Sequence, residues 1–379
     1  MMKAAVLGAA GAMAAVAIKD LLELGGEVSI TAADLRLITH PDHRVHSVTT
    51  DVNDIESTAR ILEGHDVVLN CVNYYFNVAV MKSALLARVP YIDLGGLYHG
   101  TLRQYELHDA FKNARIPALL GMGSTPGITN VMAGALAEQM DTVEELHVRV
   151  ASHDETASGP LPVPYSLDTI LDEFAMQPMV FRSGKAEAVE PMSGSEILNF
   201  PPPVGQVESL YTLHSEVAMF PRSFPSLREA SFKVAFPETF TAKMRFLVEF
   251  GMASREAILN DVSPREMLLA LASKQNVPQD IPRDCDILQV TAKGKKNGTG
   301  ITSIAQSIIL PHHEWKIGAG ALDTGVPLSI GAQMLAHKVI DDPGVLCPEI
   351  AVPRERFFEE LKRRGIHVDF VKPALQNDK

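Results

Sequence analysis

Residues 3–34, KAAVLGAAGAMAAVAIKDLLELGGEVSITAAD, constrain this chain more than any other stretch. They read as an apolar strand, a tight turn of small residues, an amphipathic helix, a second strand and a closing carboxylate. Gly8, Gly11 and Ala14 recur at every third position across the turn. A dinucleotide site needs such residues because the backbone must turn sharply, approach a pyrophosphate and let the helix pack on the sheet. The pyrophosphate would lie over free N–H groups at the helix start, near Ala12 and Met13. Asp34 ends the second strand, where a carboxylate can accept hydrogen bonds from both ribose hydroxyls. Its charge repels a 2′-phosphate and favours NAD, while Arg36 leaves NADP open. An export signal is the competing reading, since Lys3 precedes an apolar run. Glycines break that run, and it passes directly into Lys19 and Asp20.

The remainder of the first third repeats the unit. Val45 to Thr49 is expected as a strand and Asp54 to Leu62 as a short helix. Asp66 to Asn70 is a continuous apolar strand of the kind buried on both faces in parallel sheets. A helix from Phe76 to Ala87, strand Tyr91 to Leu94, helix Leu102 to Ala114 and strand Pro117 to Leu120 complete a doubly wound pattern. Ligands bind beyond the carboxyl ends of such strands. The coenzyme candidates are therefore Gly8, Ala10, Gly11, Ala12, Met13, Asp34, Leu35, Asp51, Val52, Cys71, Val72, Asn73, Leu94, Gly95, Met122 and Gly123.

From about Val143 the pattern changes. Ser166 caps a helix to Phe174, and Met179 to Val189 is a hairpin. Long alternating segments at Ser231–Phe236, Thr241–Phe250, Asp286–Ala292 and Gly300–Leu310 are expected as strands. The last two flank a hairpin turn at Asn297-Gly298. Ser263 to Ser273 is a helix with Pro264 in its first turn. Helices at Gly325–Val339 and Arg354–Arg364 are expected to pack back on the first unit. The fold class is α/β: a Rossmann doubly wound parallel sheet plus an α+β domain with a large antiparallel sheet. Residues 1–127 and about 320–379 form the first domain, and about 128–319 form a substrate-binding and dimerisation domain.

With 379 residues, 46% of them apolar, the chain can fill two cores. A net charge of −12 argues against a nucleic-acid partner. Three separated cysteines give neither a disulfide framework nor a structural zinc site. His40, His43 and His46 lie in a polar loop without an acidic or cysteine partner, so no metal is expected. No apolar run is long enough to span a membrane, and a cytoplasmic setting is expected.

The segments GAAGAM (Gly8 to Met13), HDVVLNCVNYYFN (His65 to Asn77), YIDLGG (Tyr91 to Gly96), GSTPGITN (Gly123 to Asn130), PRSFPSL (Pro221 to Leu227) and FFEELKRRGI (Phe357 to Ile366) occur in an order that resembles the saccharopine dehydrogenase/reductase family. The resemblance is greatest to its L-lysine 6-dehydrogenase branch. It implies a homodimer with a nicotinamide dinucleotide, NAD or NADP, acting at a carbon–nitrogen bond. Many members carry an aspartate before the proline of the Gly-Ser-Thr-Pro-Gly loop, where Thr125 stands here.

Removing hydride from an amine carbon requires a neutral amine, although free ammonium groups titrate near ~10. A base or a desolvating site must supply that. Asp93 is a catalytic candidate at the ligand edge of the sheet, or else caps the following turn. His214 is the best-placed histidine for proton transfer. Tyr74 could contact nicotinamide or substrate, or pack in the core. Glu216 could bind an ammonium, Arg222 could clamp a carboxylate bidentately, and His153 follows a strand of the second domain. The leading expectation is oxidative deamination of an amino-acid-like amine through an imine. The alternatives are a reductase that joins an amino acid to an aldehyde and a dinucleotide-binding protein without turnover.

Overall fold

In the computed structural model, which describes residues 1–156, 159–258, 260–274 and 282–375, the opening motif folds as its residue types require. β1 (Met2–Leu7) and β2 (Val28–Asp34) are parallel and joined by a helix, Ala12–Leu24. β3 (Val45–Thr49), β4 (Val67–Asn70), β5 (Tyr91–Asp93) and β6 (Pro117–Leu119) follow, all in parallel register. β4 buries all four of its residues, as a strand covered on both faces must. Helix Ile55–Leu62 starts where a short polar side chain can hold a free N–H group, since Asp54 accepts from the Ser57 N–H.

A second, mixed sheet holds β7 (Thr142–Asp154), β8 (Met179–Arg182), β9 (Lys185–Ala188), β10 (Glu196–Asn199), β11 (Gln206–Tyr211), β12 (Glu229–Ala235), β13 (Asp284–Lys296) and β14 (Thr299–Ile309). Its pairings are antiparallel except for the parallel pair β7 and β12. The chain then crosses back. Helix Ala319–Ala336 packs along helix Ala12–Leu24, and β15 (Gly344–Leu346) joins the edge of the first sheet beside β6. Its Gly325 lies so close to Val16 that a Cβ would fall 2.6 Å from the valine side chain. The first sheet therefore runs β15-β6-β5-β4-β1-β2-β3, reversing direction between β1 and β4. Such a reversal opens a crevice at the carboxyl ends of the strands.

Three expectations differ from the structure. Thr241–Phe250 falls on a helix, Glu238–Glu249, entered from Pro237 and capped at its end by Phe250. Its alternation is incidental, because Phe240 and Met244, four residues apart, share the buried face. The helix expected over Leu102–Ala114 is two, Leu97–Tyr105 and His108–Ala114. The final strand, β16 (Val368–Leu375), pairs with β14 in the second sheet instead of staying with the first unit.

A buried ion pair fixes the return of the chain. Arg364 donates through Nε and Nη2 to both oxygens of Asp20, at 2.6 and 3.0 Å, and both side chains are fully buried. Ser329 of helix Ala319–Ala336 donates to the same aspartate at 2.6 Å. Removing one partner of a buried pair strands the other charge. Arg364→Met is therefore expected to lower stability by about 3–5 kcal/mol, measured by denaturant unfolding. Asp20→Asn added to it is expected to recover part of that loss.

Candidate active site

The crevice begins as a shelf at the head of the first helix. Gly8 has φ +76°, and a Cβ there would meet the Cys71 and Val72 backbone at 2.9 Å. The turn can therefore lie flat only because no side chain is present. Gly11 precedes helix Ala12–Leu24 without a side-chain cap, and no acidic residue occupies the first turn. The first N–H groups are left for an anion, as a pyrophosphate requires. These residues fit a dinucleotide. Asp34 is half-buried at the end of β2. It accepts from the Ala10 N–H at 3.0 Å and the Arg36 N–H at 3.3 Å, while the Arg36 side chain is exposed. Leu35 is exposed, Val52 belongs to the core, and Asp51 holds Asn53 at 2.9 Å.

Beyond the shelf a cleft of about 400 Å³ opens between the two sheets. Of the coenzyme candidates, Met13, Cys71, Val72, Asn73, Leu94 and Gly95 line it. Met122 and Gly123 do not. Met122 is core, and the loop presents Ser124, Thr125 and Pro126 in their place. Burial pushes the Cys71 thiol up to about 12, so it stays protonated.

His214 lines the cleft at 7% exposure, stacked on Phe232 with centroids 3.8 Å apart. Its Nδ1 is paired with Glu216, and its Nε2 has no hydrogen-bond partner among the described residues. Glu216 also accepts from the hydroxyls of Thr125 and, at 3.1 Å, Thr129. Burial alone would depress the imidazole. The charge and hydrogen bond of Glu216, with the charge of Glu173, outweigh burial and hold it above 6.5. Burial would raise Glu216 as well, but His214 and the Thr125 hydroxyl keep it below its usual range, so it is ionised. The pair is an imidazole of fixed orientation with one nitrogen free for proton transfer.

Three residues of this site escaped the sequence reading. Glu173, 4% exposed, accepts from the Tyr165 hydroxyl at 2.5 Å, and burial pushes it up to about 7. Asp286 and Asp323 line the cleft as well. A signal existed for Asp286, because it shares a strand face with Leu288, Val290 and Ala292, all fully buried. A carboxylate in that row is anomalous.

Other candidates lie elsewhere. Asp93 is buried beneath the cleft floor and does not line it. It accepts from the N–H groups of Gly95 and Gly121, at 2.9 and 2.7 Å, and from Tyr91, Gln104 and Asn77. Glu216 is paired with His214 and does not itself line the cleft. Arg222 is exposed, its guanidinium 4.2 Å from the Tyr105 ring centre, and it does not line the cleft. His153 follows Ser152 on β7. Ser152 faces the cleft, so the strand's two-residue period turns His153 to the other face. Tyr74 does line the cleft, and its hydroxyl donates to Asp172 of the second domain at 2.9 Å. Among the described residues no cluster of His, Cys, Asp and Glu is arranged to hold a metal, and no helix is long and apolar enough to cross a membrane.

A family model described as the saccharopine dehydrogenase NADP binding domain matches residues 4–119, and one described as the saccharopine dehydrogenase C-terminal domain matches residues 123–366. A carboxyaminopropylagmatine dehydrogenase of Synechocystis sp. is 23% identical over 350 residues, covering 85% of this chain and 84% of that protein. A carboxynorspermidine synthase of Vibrio cholerae is 23% identical over 348 residues, covering 84% and 81%. The apo saccharopine dehydrogenase (L-Glu forming) of Saccharomyces cerevisiae shares the fold across 100% of both chains, with a TM-score of 0.73 and 17% identity. The expected nicotinamide dinucleotide is upheld, and the matched domain favours NADP, the coenzyme the sequence reading placed second. The structure supplies a reason, since backbone N–H groups already engage both oxygens of Asp34 and the Arg36 side chain is exposed beside it.

The buried Glu173 makes stability depend on pH with a definite sign. Folded, it keeps its proton to about pH 7, whereas the unfolded chain releases it near 4.5. The folded state thus binds more protons in that window and loses stability as pH rises through it. His214, raised above 6.5, acts in the same direction. Glu173→Gln is expected to flatten the fall in melting temperature between those pH values, a contribution of up to about 3 kcal/mol. Thermal unfolding across a pH series measures it.

Proposed function

The chain belongs to the saccharopine dehydrogenase family of nicotinamide-dinucleotide oxidoreductases, and we propose that it interconverts an amine and an imine at the carbon–nitrogen bond of an amino-acid-like substrate. The observation that carries this reading is the buried His214–Glu216 pair, its free Nε2 in a cleft continuous with the dinucleotide shelf. The two curated relatives are named for amines that bear a carboxyl group, which supports a secondary amine as the substrate. Oxidative deamination of lysine is the second reading, supported by the sequence resemblance.

The bound nicotinamide supplies or accepts the hydride. The protein's own residues manage protons and water. In the condensing direction the His214 imidazolium gives its proton to the hydroxyl that departs as water from the amine–carbonyl adduct. In the hydrolytic direction the neutral imidazole takes a proton from the water that attacks the imine. Glu216 stays ionised beneath the ring and stabilises its charged form. The buried walls exclude bulk water, and Glu173, near neutrality, can hold a second proton.

The test is to incubate the protein with NADPH or NADP⁺ and panels of amino acids, aldehydes and carboxylated secondary amines, following nicotinamide absorbance. Turnover is expected at C–N bonds, and oxidation of alcohols without any amine would overturn the reading. His214→Gln is expected to lower kcat by about 10²–10⁴-fold while coenzyme still binds. Glu216→Gln should move the His214 limb of the pH–rate profile toward lower pH.

A further inference from the structure

The residues lining the cleft include no lysine and no arginine, yet three carboxyl side chains face it. Glu173 stands on the side of His214. Asp286, from β13, and Asp323, from helix Ala319–Ala336, form another stretch of the cleft wall. Asp323 is only 1% exposed, and its hydrogen bonds come from two neutral hydroxyls, Ser124 at 2.7 Å and Thr324 at 3.2 Å. Asp286 has no ion-pair partner either among the described residues. Burial raises both carboxyls, Asp286 to about 6, and the charge of Asp286 raises Asp323 further. Two neighbouring acids facing one cavity without a cation are relieved when a cation enters.

Two further observations show that the cleft these carboxyls line is a ligand site. Glu173, at 4% exposure, lines the cavity, and its Oε1 has no hydrogen-bond partner among the described residues. His214, equally enclosed, presents an unpartnered Nε2. Polar groups on side chains so enclosed are ordinarily paired. The cleft thus offers a proton-transfer group and, besides it, two carboxyls without a cation.

We propose that Asp286 and Asp323 form a subsite for a cationic group of the substrate, an ammonium or guanidinium distinct from the nitrogen that reacts. The substrate class is then an amine with a second, distal positive charge, and this assignment rests on the C–N reading above. A substrate whose distal end is a carboxylate would meet only like charge on this wall.

The binding itself needs no turnover and can be tested without it. Protein saturated with NADP⁺ is titrated calorimetrically near neutral pH with putrescine, agmatine, butylamine and glutarate. Putrescine and agmatine are expected to bind about tenfold or more tighter than butylamine, with glutarate weakest. Asp286→Asn and Asp323→Asn, each checked for coenzyme binding as evidence of folding, are expected to erase most of that preference. Equal binding of butylamine and putrescine, preferential binding of glutarate, or a preference that survives both substitutions would overturn the subsite. The wild-type comparison decides the matter if either variant fails to fold. Cation preference without turnover of any amine would sink the C–N reading and keep the subsite, whereas amine turnover without the preference would do the reverse.

Discussion

The floor of the cleft depends on one buried carboxylate. Asp93 gathers five donors from the ends of two strands, the loops after them and two helices. Each donor would otherwise be a buried polar group in need of a partner, and a carboxylate is a strong acceptor for all of them. The Gly95 turn and the turn at Gly121 are thereby held at one height. Gly95 is packed so closely on Pro126 that a Cβ there would lie 2.8 Å from the proline ring. The Ser124–Pro126 loop, which presents cleft hydroxyls, rests on this base.

That loop also joins the two domains chemically. Thr125 and Thr129 bond Glu216, which in turn holds His214 of the second domain. The position where many relatives carry an aspartate thus keeps a polar link, made here by a hydroxyl to a carboxylate supplied from elsewhere. A second link lies at the rim. Asp172 accepts from Tyr74, Tyr75 and Arg265, and Asp168 accepts from Arg255, Arg265 and Asn73. The loop that follows β4 is therefore seated on the helix Leu167–Ala175.

Much of this was legible because local physics decided it. The glycine turn, the apolar β4, and the caps at Asp54, Ser166 and Ser263 each specify their element within a few residues. His214 was legible as a residue type but not as a pair with Glu216, since Thr125 and Thr129 come from far along the chain. Glu173, Asp286 and Asp323 converge from three segments, and no local pattern announces that meeting. Arg222 and His153 were misjudged for simpler reasons. One lies outside on an aromatic ring, and the other is a single residue out of phase with the inward face. The helix at Glu238–Glu249 was missed because a run of twelve residues can alternate and still place Phe240 and Met244 four apart.

The passage of the chain from first sheet to second, back, and across again has a consequence for synthesis. Helix Ala319–Ala336 covers β4 and β5 beside helix Ala12–Leu24, yet it is translated long after β6. A nascent chain therefore carries six parallel strands with an apolar face still bare while β7 to β14 of the second sheet are being made. Such a face is a hazard for aggregation on the ribosome. Completion of the coenzyme-binding half must wait for the last fifth of the polypeptide.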